Sequence, residues 1–249
     1  MNWKISSVLK KTDPKDRHRE IISAVAKNRG IDQSQWKNFI NPPHPHQIGL
    51  KNSGVKIREA EKAINLINKY KSPDSPIVVF GDYDADGITS TAIIWETLTA
   101  LGIKSMPFIP NRAKHGYGLS VAGLKEVIEK YNPKLIIAVD NGVTAIAKTK
   151  WAQKQGIKII IIDHHELTGK THPADALVHT TQLAAAGLSW MFADYLAYKT
   201  GKPETTLALL ELAAIGTVAD QVPLTGPNRS IVKYGIEALR KSKRPGILD

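Results

Sequence analysis

The 249-residue chain is 42% hydrophobic and 23% charged, which is enough apolar material for one large domain and too little charge for a disordered chain. Its formal net charge of +11 favours an anionic partner, nucleic acid being the usual one. The absence of cysteine excludes disulfides, thiolate zinc sites and a cysteine nucleophile, and no stretch has the apolar length of a membrane-spanning helix.

The N-terminal MNWKISSVLKKTDPKD lacks the continuous apolar run of a signal peptide, so the chain reads as a soluble, cytoplasmic protein with no membrane partner. From Pro14 to about Arg29, Ile21, Ile22, Val25 and Ala26 recur at helical spacing before the stop at Gly30. A short helix follows at Ser34–Phe39, and NPPHPHQIG then reads as a proline-rich connector that cannot be helical. Val55–Tyr70 resumes helical periodicity through Ile57, Ala60, Ile64 and Ile67.

From Ile77 onward, strand and helix alternate. The expected strands are IVVFG, Ile103–Ile109, Lys134–Val139, Ile157–Ile162 and a short piece at Ala174–Val178. The expected helices are Thr89–Leu101, Ser120–Tyr131 with Ser120 as its N-cap, Val143–Gln155, Ala184–Lys199, Glu204–Thr217 and Asn228–Lys241. Continuous apolar strands between helices predict a doubly wound, mainly parallel α/β sheet covered on both faces, with an N-terminal helical extension. The extension and connector would occupy residues 1–50 and the α/β domain residues 51–249.

Three expected strands end in acids: Asp82, Asp84 and Asp86 after the first, Asp140 in VDNG, and Asp163 with His164 and His165 in IIDHH. Ligands of open α/β sheets bind outside the carboxyl ends of the strands, so parallel strands would bring these clusters to one edge. Any one of these acids alone is better read as a helix cap or turn residue. Together they would repel one another in a crevice, and divalent cations would relieve that conflict. Oxygen and imidazole donors suit manganese, with magnesium, cobalt or zinc as alternatives. Two ions roughly 3.5–4 Å apart can bind a phosphodiester, activate water and stabilise the leaving oxygen. DxDxDG is not a calcium loop here, because no Glu stands at the loop's last position and a strand precedes it. A fourth segment, LELAAIGTVAD, ends at Asp220 and by itself would pass for a solvated helix end.

FGDYDADGITS, VDNG, IIDHH and GTVADQVPL, in this order, resemble the DHH phosphoesterase family. The first and last, with IPNRAKHGYGLS at Ile109–Ser120, resemble its RecJ branch of single-strand-specific DNA exonucleases, and the likeness runs from about Phe39 to Arg229. The resemblance implies that Asp82, Asp84, Asp86, Asp140, His164 and Asp220 hold two divalent cations, Mn2+ first and Mg2+ or Co2+ as alternatives, with Asp140 bridging them. It implies that Asp163 orients its neighbours, that His165 contacts the scissile phosphate, and that Asp140, His164 and His165 form the catalytic set. Arg112, with the Gly116–Gly118 loop, would bind substrate phosphate. The implied activity is 5′-to-3′ hydrolysis of single-stranded DNA by a monomer, in DNA repair and recombination.

Other residues read more plainly. His115 is expected to be a solvated loop histidine, and Thr89 and Ser90 either meet a phosphate at a helix start or cap the helix. His44 and His46 lack acidic neighbours and read as loop residues; Trp95, Trp151 and Trp190 read as core; Arg240, Lys241, Lys243 and Arg244 read as a solvated end. Two departures from the family stand out. The DHH-associated and OB-like domains that normally follow are expected to be absent from a chain ending at Asp249, and LVHTTQLAAAG around His179 replaces an Asn-Pro-containing stretch. The competing readings are an oligoribonuclease or cyclic-dinucleotide phosphodiesterase, against which the IPNR and GYGL segments argue, and a non-catalytic nucleic-acid-binding scaffold.

Overall fold

The computed structural model describes residues 13–167, 169 and 171–248; most of the segment read for a signal peptide lies outside them. The chain divides into two compact units at Pro43. In the first, helix α1 (Pro14–Asn28) precedes a 3₁₀ turn at Gln33–Gln35 and helix α2 (Trp36–Ile40). Asp32 caps the turn by accepting from the Ser34 amide at 2.8 Å. On α1 the expected stripe forms, but only Ala26 is buried; Ile21, Ile22 and Val25 are exposed.

The second unit opens with α3 (Pro45–Ile48), so the connector expected to exclude helix contains one. Proline fits there because it stands at the first helical position, where an N–H would have no partner in any case. His44 caps this turn, and His46 meets Asp194 at 2.8 Å, so the acid missing from its sequence neighbourhood arrives from 148 residues away. A 3₁₀ turn at Leu50–Ser53 leads into α4 (Ile57–Tyr70), then β1 (Ile77–Phe80), α5 (Ala85–Ala100), β2 (Ser105–Phe108), α6 (Arg112–His115) and α7 (Val121–Tyr131). After these come β3 (Leu135–Val139), α8 (Ile146–Lys154), β4 (Lys158–Asp163) and β5 (Ala176–His179). The chain ends with α9 (Ala185–Lys199), a 3₁₀ segment at Pro203–Leu209, α10 (Leu210–Ala219), α11 (Gly226–Leu239) and α12 (Pro245–Leu248).

The five strands form one all-parallel sheet in the order β2-β1-β3-β4-β5. Alternate residues of each strand enter two cores. Ile77, Val79, Ile137, Ile160 and Ile162 pack with α4, α5, α9 and α10, whereas Val78, Phe80, Ile136, Ile159 and Ile161 pack with α7 and α8. Each such fully buried side chain stabilises the fold by about 1.5–3 kcal/mol, which is why the strands carry apolar residues on both faces. Among the described residues, no helix is long and apolar enough to cross a membrane.

Ser120 caps α7 as expected, accepting from the Gly123 amide at 3.1 Å. Three helix starts differ from expectation by three residues or more, each for a local reason. Helix α5 begins at Ala85 rather than Thr89, because Asp84 caps it by accepting from the Gly87 amide. Helix α8 begins at Ile146 rather than Val143, whose amide is held by the Asp163 carboxylate at 3.0 Å. The helix expected from Glu204 begins as 3₁₀; there the Thr206 carbonyl accepts from Trp190 Nε1 at 2.9 Å, which diverts it from an α ladder. Trp190 is fully buried, while Trp95 and Trp151 pack at core margins.

Arg244 is not a solvated end. Its guanidinium pairs both oxygens of Glu96 on α5 at 2.6 and 2.8 Å and reaches buried Glu211 on α10 at 2.5 Å.

Candidate metal centre

The strand order reverses between β1 and β3, since β1 connects through α5 to β2 on one side while β3 pairs with it on the other. That switch point is where an open α/β sheet leaves a crevice for a ligand. Asp82 follows β1 and Asp140 follows β3, so they flank the crevice; Asp163 and His164 end β4 beside it.

The first acidic segment folds tightly around its own helix start. Asp82 accepts from the Tyr83 amide at 2.7 Å through one oxygen, and its other oxygen is buried with no partner. Gly87 lies against it so closely that a Cβ there would come within 2.6 Å of the Asp82 Cβ and 2.7 Å of its backbone. Asp84 is exposed at the N-cap of α5. Asp86 is buried and accepts from the amides of Ala185 and Ala186, both at 2.8 Å. It thereby caps α9, whose own N-cap is an alanine with no side-chain bond. Thr89 donates to the Ala85 carbonyl within α5, and Ser90 is buried, so neither is a cap.

Asp140 is 3% exposed and sits at φ 59°, a left-handed conformation that is uncommon for a residue other than glycine. Such positions cost about 1–3 kcal/mol and persist where the surroundings hold them; here the Asp140 amide donates to the Ile162 carbonyl at 3.0 Å. Burial, followed by the charges of Asp86, Asp84 and Asp163, pushes the Asp140 carboxyl up to about 10. Burial also raises Asp86, to about 6, against the pull of the α9 amides and His164. Asp82 and Asp220 are raised as well, in both cases chiefly by burial.

His164 is the hub. Its Nε2 lies 3.4 Å from Asp140, 3.7 Å from Asp220 and 3.9 Å from Asp86, and it is buried without a hydrogen-bond partner. Two groups of donors, with atoms within 4.8 Å of one another, share it: Asp140 with His164 and His165, and Asp86 with His164 and Asp220. Asp82 and Asp84 belong to neither group, although Asp84 acts electrostatically on Asp140 and Asp220.

Asp163 is fully buried and its oxygens are already engaged. One accepts from the Val143 amide, and the other from the His164 amide at 2.7 Å, the His165 amide at 3.2 Å and His165 Nδ1 at 2.7 Å. Burial opposes its charge, but the bonds from His165 and Val143 outweigh that and hold the carboxyl below its ordinary value. In return, the Asp163 bond raises His165. His165 also offers its carbonyl to His179 Nε2 at 2.8 Å, which ties the divergent β5 segment to the site.

The residues fit a divalent metal pair on physical grounds. A buried carboxylate oxygen and a buried imidazole nitrogen lack partners, four acids are raised by enclosure, and the donors are oxygen and nitrogen only.

Arg112 heads α6, and its guanidinium lies 5.2 Å from the centre of the Tyr83 ring. Contrary to expectation, His115 is buried. Its Nδ1 accepts from the Asn111 amide at 2.9 Å and its Nε2 lies 3.0 Å from Glu126. No role is expected from the sequence for Tyr83, whose ring carries the Arg112 guanidinium, or for Asn141, whose side-chain amide donates to the Gly81 and Val139 carbonyls. Tyr83 and Asn141 stand inside motifs already singled out for their acids, so their position was the available signal.

A model of the DHH family, N-terminal domain, matches residues 76–217. The single-stranded-DNA-specific exonuclease RecJ of Bacillus subtilis is 36% identical over 201 residues, covering 77% of this chain and 25% of its own. RecJ of Thermus thermophilus is 32% identical, covering 99% of this chain and 37% of its own. A crystal structure of exonuclease RecJ bound to manganese matches with a TM-score of 0.69 at 35% identity, covering 78% of this chain and 50% of that one. The chain therefore spans well under half the length of these two curated relatives. With the family model covering more than half of its length, the chain belongs to the DHH family.

Proposed function

We propose that this chain is a metal-dependent phosphodiesterase that hydrolyses single-stranded DNA from its 5′ end in the cytoplasm, with residues 51–249 as the catalytic domain and residues 1–50 as its extension. The observation that carries this reading is the approach of His164 to Asp140, Asp220 and Asp86 at 3.4–3.9 Å, with its Nε2 unpartnered. The relatives named as single-stranded-DNA-specific exonucleases, and the manganese in the matching crystal structure, support both substrate and metal.

Asp82, Asp84, Asp86, Asp140, His164 and Asp220 would hold two divalent ions, manganese first and magnesium or cobalt as alternatives. When bound, such a pair neutralises the carboxylates, polarises the phosphodiester and activates water. Asp163 engages Nδ1 of His165 and so leaves Nε2 as the free nitrogen of that ring. The raised His165 keeps its proton to higher pH and donates it in a hydrogen bond to a phosphate oxygen. Arg112, braced on the Tyr83 ring, supplies a forked donor to a neighbouring phosphate. The α9 amides fix Asp86 against rotation, so the donor set is held before substrate arrives.

The test is digestion of single-stranded DNA labelled at one end or the other, in manganese, with Asp140→Ala as control. Manganese-dependent release of the 5′-terminal label first supports the reading. Binding without turnover in manganese-loaded protein, or preference for di- and trinucleotides over long strands, contradicts it.

A further inference from the structure

Asp220 reaches the donor group from the end of α10, and a glycine one turn earlier lets that helix come so close. A Cβ on Gly216 would stand 2.4 Å from Thr89 Oγ1, 2.5 Å from the Ala186 Cβ and 2.7 Å from Asp86 Oδ1. These atoms have little freedom to move aside. Thr89 Oγ1 donates to the Ala85 carbonyl at 2.7 Å, Asp86 is held by the Ala185 and Ala186 amides, and Ala186 is fully buried in α9. Non-bonded atoms settle at about 3.5 Å, so a methyl group here would drive α10 outward by roughly 1 Å. The backbone of Gly216 is α-helical, a conformation open to any residue, so space and not conformation explains the glycine.

The same helix face carries Asp220. Its amide donates to the Gly216 carbonyl at 2.9 Å, and residues four apart on a helix lie one above the other. The face that Gly216 presses against Asp86 and Thr89 is therefore the face from which Asp220 lies 3.7 Å from His164 Nε2. The far end of α10 is tied separately, because Arg244 joins Glu211 on α10 to Glu96 on α5. With that end fixed, a displacement at Gly216 passes to the end that bears Asp220. On the other side of α10, Gly235 of α11 makes a second close approach, where a Cβ would meet the Ala214 Cβ at 2.4 Å and the Leu210 carbonyl oxygen at 2.6 Å.

We propose that Gly216 is a positioning residue for the metal centre: its missing side chain lets α10 close on α5 and α9, and so brings Asp220 into the donor group of His164 and Asp86. This inference rests on the metal-site reading and assigns the device that sets the spacing between its segments.

The test is calorimetric titration of the full chain with manganese chloride. Gly216→Ala weakens manganese binding at least about tenfold. In a chain already carrying Asp220→Asn, the same substitution adds no more than about twofold, because it acts through that carboxylate. Gly235→Ala crowds the opposite side of α10 and lowers the urea midpoint comparably, yet keeps manganese affinity within about twofold of the unmodified chain. Equal losses from Gly216→Ala with and without the Asp220 carboxylate, or an equal loss from Gly235→Ala, overturn the proposal. Should Gly216→Ala not fold, it is combined with Thr89→Ala and Ala186→Gly, which empty the space it would fill. Affinity within about threefold of that pair alone supports the proposal, and a fall of about tenfold overturns it. An unmodified chain that binds no manganese sinks the metal reading separately, and a crystal structure of metal-free Gly216→Ala then decides the positioning role. An Asp220 carboxylate moved roughly 1 Å or more away from His164 supports it; one still 3.7 Å away overturns it.

Discussion

Replacing Asp140 with asparagine should strengthen the metal-free fold while removing its response to manganese. Raised from 3.8 to about 10, the Asp140 carboxyl keeps its proton in the folded chain at pH 7, whereas the unfolded chain has released it. Between those two values the folded state binds the extra proton, so this group makes stability fall as pH rises. At about 1.36 kcal/mol per pH unit, the span from 3.8 to 7 amounts to about 4 kcal/mol of lost stability. Asparagine has nearly the same shape, carries no charge at any pH and tolerates the φ of 59° at this position. Urea unfolding in EDTA should therefore show little difference at pH 4, barely above the unfolded value of 3.8, and an advantage of up to about 4 kcal/mol for Asp140→Asn at pH 7. Manganese at about a hundred times its dissociation constant adds about 2.7 kcal/mol to the unmodified chain and nothing comparable to the variant. An Asp140→Asn chain less stable than the unmodified one at pH 7 in EDTA, or an advantage equal at both pH values, would show that the fold does not hold Asp140 protonated.

Three further substitutions probe the supports of the site. Asp163→Ala strands the Val143 and His165 amides and frees the His165 ring; unfolding should show a loss of about 2–4 kcal/mol, and DNA hydrolysis should fall at least tenfold. Gly87→Ala forces a methyl group against the Asp82 backbone; it should cost about 1–3 kcal/mol in urea unfolding and weaken manganese binding by calorimetry. Arg244→Met leaves buried Glu211 without its partner, and thermal unfolding should register a loss of about 3 kcal/mol.

Much of the second unit is legible in the sequence because its signals are local. Short apolar runs at Ile77–Phe80, Leu135–Val139 and Lys158–Asp163 mark strands buried on both faces, and each ends in acids that a parallel sheet must bring to one edge. What escapes depends on partners distant in sequence. Ala184 shows no cap because Asp86 caps α9 across about a hundred residues. His46 finds Asp194, and Arg244 finds Glu96, over 148 positions each. The burial of His115 is invisible in the sequence because it depends on α7 and Phe108 closing over a four-residue turn. Pro45 signals a helix break in the sequence, although at a first helical position its missing amide costs nothing. Periodicity on α1 forecasts a helix correctly, but periodicity alone does not say whether Ile21, Ile22 and Val25 are covered.

Whether His164 and acids from separate segments share divalent cations at the sheet switch point is decided by where manganese binds. Anomalous diffraction at the manganese edge, from crystals of this chain grown with manganese chloride, tests it most directly. Strong peaks are expected within bonding distance of His164 and Asp140, and of Asp86 or Asp220. Peaks confined to other parts of the molecule, or an unoccupied His164 at saturating manganese, would contradict it.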